Sequence, residues 1–169
     1  MRHLKLSGLI LSVLFLFNAC QSTSSKWDLQ PLDLTSHGLP IIIQAPDSAE
    51  IVPNVMAFEK GVTITQGDFM IEVELKDKYA DKSKNVDSIL SKKIASIESK
   101  SNFDQFLLNK SNGFIYSTND TIIGLDHHFY LVGFKNGKQF EFKEAPNVMA
   151  NYTFEEIKAL FEAVELALK

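Results

Sequence analysis

The stretch Leu125–Lys143 reads LDHHFYLVGFKNGKQFEFK, and its reading decides the fold. Leu125, Phe129 and Leu131 fall on one parity, while Tyr130, Val132 and Phe134 fall on the other. Successive side chains of a strand point to opposite faces, so a strand over 125–134 carries apolar side chains on both. It must be covered on both. Asn136-Gly137 then supplies the strongest short hairpin signal, and Phe140 and Phe142 alternate with Gln139, Glu141 and Lys143 as a half-exposed return strand.

Outward from that hairpin the period-two pattern recurs. Phe69, Ile71, Val73 and Leu75 alternate with Met70, Glu72, Glu74 and Lys76, and Val62 and Ile64 alternate with Thr63 and Thr65. The breaks Glu59-Lys60-Gly61 and Gln66-Gly67-Asp68 read as turns that bracket a meander. Ser111-Asn112-Gly113 predicts a further hairpin, joining Phe106–Leu108 to Phe114–Tyr116. Two helices interrupt the strands. Val86, Ile89, Leu90, Ile94 and Ile97 form an apolar stripe at helical spacing from about Ser83 to Ser101. Thr153-Phe154-Glu155-Glu156 is a capping box opening a second helix, whose buried face is Phe154, Ile157, Leu160, Phe161, Val164 and Leu168. The expected class is α+β: an antiparallel sheet with helices on both faces, an α/β/α sandwich.

The order of elements adds a resemblance. An early strand ending in proline (Leu39-Pro40-Ile41-Ile42-Ile43-Gln44-Ala45-Pro46), a meander, a mid-chain helix, paired strands, an Asn-Gly hairpin and a terminal helix resemble the PsbP-like fold. That fold recurs in an extrinsic photosystem subunit, in eukaryotic import factors and in bacterial lipoproteins. The resemblance rests on element order from Leu39 to Leu168, and it implies an accessory or binding role without catalysis.

The chain has 169 residues, 45% of them hydrophobic and 22% charged, which suits one globular domain and excludes a disordered or collagenous chain. Residues 1–19 have a basic start (Arg2, His3, Lys5) and an apolar run from Leu6 to Phe17 broken by Ser7, Gly8 and Ser12. This is the pattern of a secretory signal, too short for a membrane span of about 20 apolar residues. Ordinary signal peptidase prefers small residues one and three places before the cut, and Phe17 is bulky. Phe17-Asn18-Ala19-Cys20 instead resembles the lipobox of bacterial lipoproteins. The resemblance implies a diacylglycerol thioether on Cys20, a fatty acyl group on its new amino terminus, and Gln21 after the cysteine directing the protein to the outer membrane, facing the periplasm. The expected organisation is residues 1–19 as signal peptide, 20–38 as lipidated cysteine and tether, and 39–169 as one α+β domain. Within the tether, Trp27, Leu29, Leu32 and Leu34 either pack back onto the domain or form an exposed apolar segment.

Arg2 is the only arginine. Removing residues 1–19 takes Arg2 and Lys5 from the 17 basic residues and none of the 21 acidic ones, leaving a net charge near −6. An acidic domain without guanidinium groups is a poor nucleic-acid binder. No P-loop, G-x-G-x-x-G or G-x-S-x-G motif is present, Ser91-Lys92-Lys93 reads as a helix surface, and no cofactor is implied. Asp126-His127-His128 contains good metal-ligand types, but neighbouring strand residues face opposite ways, so His127 and His128 are expected to be hydrogen-bonded separately within the sheet. His37 could join either only through tertiary proximity. Asp120 with Asp126, and Glu72 with Glu74, are candidate carboxylate pairs for acid–base work, and Glu72 and Glu74 read better as a solvated strand face. The expected function is therefore a lipid-anchored envelope accessory protein with a protein or small-molecule partner and no catalytic, cofactor or metal residues. The alternatives are an envelope hydrolase using Asp126, His127 and His128, and a purely structural envelope protein.

Overall fold

The computed structural model describes residues 26–54, 60–76, 85–146 and 151–168. The signal segment, Cys20, Glu59, and Ser83 and Lys84 at the start of the first expected helix lie outside the described residues. Strands and helices follow in the order β1 (Leu29–Asp33), β2 (Ile42–Pro46), β3 (Glu50–Pro53), β4 (Lys60–Gln66), β5 (Phe69–Leu75), α1 (Val86–Glu98), β6 (Phe103–Lys110), β7 (Gly113–Asp120), β8 (Gly124–Lys135), β9 (Lys138–Glu144) and α2 (Phe154–Glu165). Among the described residues, seven strands form one antiparallel sheet in the order β3-β4-β5-β9-β8-β7-β6, and β1 and β2 form a separate antiparallel ribbon. The α+β class follows from this arrangement.

The β8–β9 hairpin closes as its sequence requires. Asn136 and Gly137 both take positive φ, 53° and 77°, the type I′ geometry that matches strand twist, and Lys135 pairs with Lys138 across it. Along β8, side chains alternate between two apolar cores. Phe129 and Leu131 join Ile115, Phe140, Phe142, Ile71 and Val73 together with Ile157, Leu160, Phe161 and Val164 of α2. Tyr130 and Val132 join Phe114 and Tyr116 together with Leu90 and Ile97 of α1. Helix α2 is started by the expected capping box: Thr153 Oγ1 accepts from the Glu156 N–H, and the Glu156 carboxylate accepts from the Thr153 N–H at 2.9 Å.

The N-terminal stretch packs back. Trp27 meets the Phe69 ring edge-on, with centroids 5.4 Å apart, and Leu34 is fully buried in the larger core. Folded structure thus extends N-terminal of residue 39, because four large apolar side chains in 27–34 are withdrawn from water more favourably than they are left along a tether. The early strand begins at Ile42 and pairs with β1 rather than joining the main sheet.

A second difference concerns Lys60 and Gly61, read from sequence as part of a turn. Both lie in β4, opposite Leu75 and Glu74. Gly61 marks a close approach and not a chain reversal, since a Cβ there would sit 2.9 Å from the Val73 carbonyl oxygen.

Gly113 is constrained more tightly still. A Cβ at this position would stand 2.5 Å from the Tyr130 carbonyl oxygen and 2.9 Å from the Leu131 Cα. Both are backbone atoms that cannot move aside without disturbing β8. Gly113→Ala is expected to cost about 1–3 kcal/mol by overpacking, read as a lower denaturation midpoint at unchanged m-value.

Candidate functional site

The β7–β8 hairpin runs past the end of β9. Pairing of β8 with β9 starts at Tyr130 opposite Lys143, whereas β7 and β8 stay paired out to Asp120 opposite Gly124. On the parity of Tyr130 this overrun leaves a half-open groove of about 410 Å³, whose wall includes Tyr116, Thr118, Asp126, His128, Lys143 and Glu144. Cross-strand register assembles it. Tyr116 lies directly opposite His128 and Thr118 opposite Asp126, so same-face side chains from β7 and β8 interleave.

A hydroxyl, an imidazole and a carboxylate form a chain in this groove. His128 Nδ1 is 2.9 Å from Glu144 Oε1, and His128 Nε2 is 2.8 Å from Thr118 Oγ1. An ionised carboxylate only accepts, so Nδ1 carries the proton of the neutral ring and Nε2 accepts from the Thr118 hydroxyl. The other Glu144 oxygen accepts from the Phe129 N–H at 2.8 Å, which fixes the carboxylate. The Asp126 Oδ2 atom stands 3.8 Å from Nε2, and its Oδ1 accepts from the His127 and Tyr152 N–H groups at 2.8 and 2.9 Å. The Tyr116 ring lies 5.0 Å from that of His128. Burial, reinforced by the Glu144 and Asp126 carboxylates, pushes the Tyr116 phenol well above its ordinary range and keeps it neutral.

Such a chain has the order of a nucleophile, base and orienting acid. Acyl transfer also needs N–H donors aimed at the developing oxyanion. Here the N–H of Asn119, next to Thr118, is given to the Asn102 carbonyl at 2.8 Å. Thr118 itself lies mid-strand between β6 and β8. Thr118, His128 and Glu144 thus hold one another in fixed geometry along the groove wall.

The sequence-predicted residues separate accordingly. His127 points away from the groove: its Nδ1 lies 2.6 Å from the Tyr152 carbonyl, and its ring approaches Phe154. His127 and His128 therefore have different partners, as their adjacent positions in a strand imply. His37 is exposed in a short 3-10 turn between β1 and β2 and is not part of the groove wall. Asp120 lines the same groove as Asp126, at its hairpin-tip end, where it accepts from the Ile122 and Ile123 N–H groups at 2.8 and 3.3 Å. Among the described residues, no group of three His, Cys, Asp or Glu side chains is placed to hold a metal ion. Sequence reading missed Thr118 and Glu144. Thr118 shares a sheet face with His128 once the register is known, whereas Glu144 has the parity of Phe140 and Phe142, which face the α2 core, and reaches His128 only from the end of β9.

Glu72 and Glu74 do not form a solvated face. Their side chains are only 17% exposed and share Lys143, at 3.2 and 3.1 Å, and Lys76 pairs with Glu74. Burial opposes both charges. It raises the Glu72 carboxyl above its usual range, while hydrogen bonds from Lys76 and Lys143 overcome it at Glu74 and hold that group down to about 2. The first proton taken up on acidification therefore goes to Glu72. The Glu74 ion pairs contribute stability that is fully present above the ordinary carboxylate range and lost as pH falls from about 4.5 to about 2. Glu74→Gln is expected to destabilise the protein most near pH 7, with the difference from the parent shrinking across that window, as measured by denaturant unfolding at a series of pH values.

Neither a protein-family model, nor a curated protein, nor a solved structure matches this chain.

Proposed function

We propose that this chain is a lipid-anchored accessory or binding protein of the bacterial cell envelope, held through Cys20 on the outer membrane and facing the periplasm. In this reading it performs no chemistry, and the groove around His128 receives its partner or ligand. The observation that carries it is the self-contained hydrogen bonding of that groove: Thr118, His128 and Glu144 satisfy one another, and the Asn119 N–H is already bonded. The Phe17–Cys20 segment supports the anchor, since two or more fatty chains make attachment stable whereas one gives marginal binding. The finer architecture is an α/β/α sandwich of the PsbP-like kind, with α1 and α2 on opposite faces of the sheet. Alternation of β8 side chains between the α1 core and the α2 core supports it.

A second reading, an envelope hydrolase, is favoured by the Thr118–His128–Glu144 chain itself. In it Thr118 would attack, His128 would take its proton, and Glu144 would orient the ring.

Intact-mass analysis of the membrane fraction is expected to show a chain starting at Cys20 with diacylglyceryl and acyl groups attached. A product starting at Gln21 or later, or an unmodified Cys20, overturns the anchor. Cross-linking in native membranes is expected to capture a partner through residues of the groove wall, with capture reduced in His128→Gln. Turnover of model esters or amides that disappears in Thr118→Val would overturn the binding reading in favour of the hydrolase.

A further inference from the structure

We infer that the tip of the β7–β8 hairpin, Ile122 and Ile123, is a second membrane contact that enters the headgroup and upper acyl region of the bilayer to which the N-terminus is attached. The inference rests on the anchor proposed at Cys20, and it adds an orientation that the anchor alone does not supply. Ile122 is 93% exposed and Ile123 62%, with Leu125 beside them at 51%. No other part of the described surface brings exposed large aliphatic side chains so close together in sequence.

The tip and the N-terminus lie at the same end of the molecule. Lys26 Nζ binds Asp68 at 2.6 Å, in the β4–β5 turn, and Glu156 at 2.9 Å, in the first turn of α2. The Tyr152 hydroxyl donates to the Asp68 carbonyl at 3.0 Å, and the Tyr152 N–H donates to Asp126 at 2.9 Å, on β8 just behind the tip. Asn151 Nδ2 reaches the tip itself, donating to the Ile123 carbonyl at 2.7 Å. Five residues lie between Cys20 and Lys26, and the six Cα-to-Cα steps reach at most about 22 Å. A lipid on Cys20 therefore holds this end, and not the opposite one, close to the membrane.

The tip is also chemically prepared for such a setting. Unpaired backbone groups are costly in a medium that cannot hydrogen-bond. Here the Ile122 and Ile123 N–H groups are bonded to Asp120, and the Ile123 and Leu125 carbonyls accept from Asn151. A net charge near −6 gives the mature chain no overall attraction to anionic lipid. Asp68 and Asp120 at this end also disfavour a strongly anionic surface. The fitting occupant is a phospholipid bilayer of low net charge, contacted through apolar side chains.

The test uses phosphatidylcholine vesicles with brominated acyl chains, which quench indole by contact. One arm reconstitutes the lipoprotein isolated from membranes. The other couples the Cys20 thiol of the unacylated mature chain to a maleimide-headgroup lipid. Indole in Ile123→Trp is expected to be quenched at least twofold more than in Leu166→Trp, a site 50% exposed beyond the far end of α2, with the Trp27 background common to both. Equal quenching in the coupled arm overturns the tip contact. An unmodified Cys20 in the isolated protein overturns the anchor, and the coupled arm keeps the two failures apart. Labelling of the unsubstituted chain by a diazirine-bearing phosphatidylcholine is expected to concentrate on residues 119–126. Cross-links from that peptide to a second copy or another protein, with no lipid label, overturn the inference.

Discussion

The whole fold depends on one strand having no face that can be left in water. In β8, Phe129 and Leu131 are buried on one parity, and Tyr130 and Val132 on the other. Such a strand is stable only in the interior of a sheet with apolar cover above and below. Its neighbours β7 and β9 are the strands that sequence places beside it, each joined by a two- or three-residue connection. The two apolar cores differ in size. The α2 core gathers side chains from the β1–β2 ribbon and from β4, β5 and β9 as well, while the α1 core is confined to β6, β7 and β8. On the α1 parity the β5–β9 part of the sheet therefore carries Glu72, Glu74, Glu141 and Lys143 in place of an apolar layer.

The groove is a product of the same unequal lengths. β8 has twelve residues and β9 seven, so one end of β8 is paired with β7 alone. At that step the alternation of β8 changes from apolar to polar on the α1 parity, passing from Tyr130 to His128 to Asp126. Glu144, the last residue of β9, bonds both His128 and the Phe129 N–H there and thereby replaces the backbone partner that β9 no longer offers. The carboxylate consequently has an architectural duty as well as a chemical one. A group fixed by the sheet in this way is suited to recognition, because its geometry costs little to maintain on binding.

Legibility followed the range of the forces involved. The Asn136-Gly137 turn, the Thr153–Glu156 capping box and the stripe over 86–97 are local, and each appears where adjacent residues demand it. Gly61 was misread because a glycine in a strand and a glycine in a turn look alike until the opposing Val73 carbonyl is in place. The polar faces were harder. Glu72 and Glu74 alternate as an exposed face would, yet Lys143, far along the chain, half-buries them in ion pairs. The groove was half visible. Asp126 and His128 stand out as residue types, whereas Thr118 belongs to it only through register and Glu144 only because β9 ends beside His128, neither of which a short window of sequence encodes.

The separate β1–β2 ribbon has a mechanical meaning. A force applied through the N-terminus first meets the Lys26 pairs with Asp68 and Glu156, which are exposed on the lysine side and weak. It next meets Trp27 against Phe69, and then the Leu29–Pro46 end of the ribbon. Among the described residues β1 pairs only with β2, so no hydrogen bond of the seven-stranded ladder lies on that path. Tension there would thus part side-chain contacts to the β4–β5 turn, β5 and α2 first and then open the two-stranded ribbon, and neither step breaks a backbone hydrogen bond of the seven-stranded ladder.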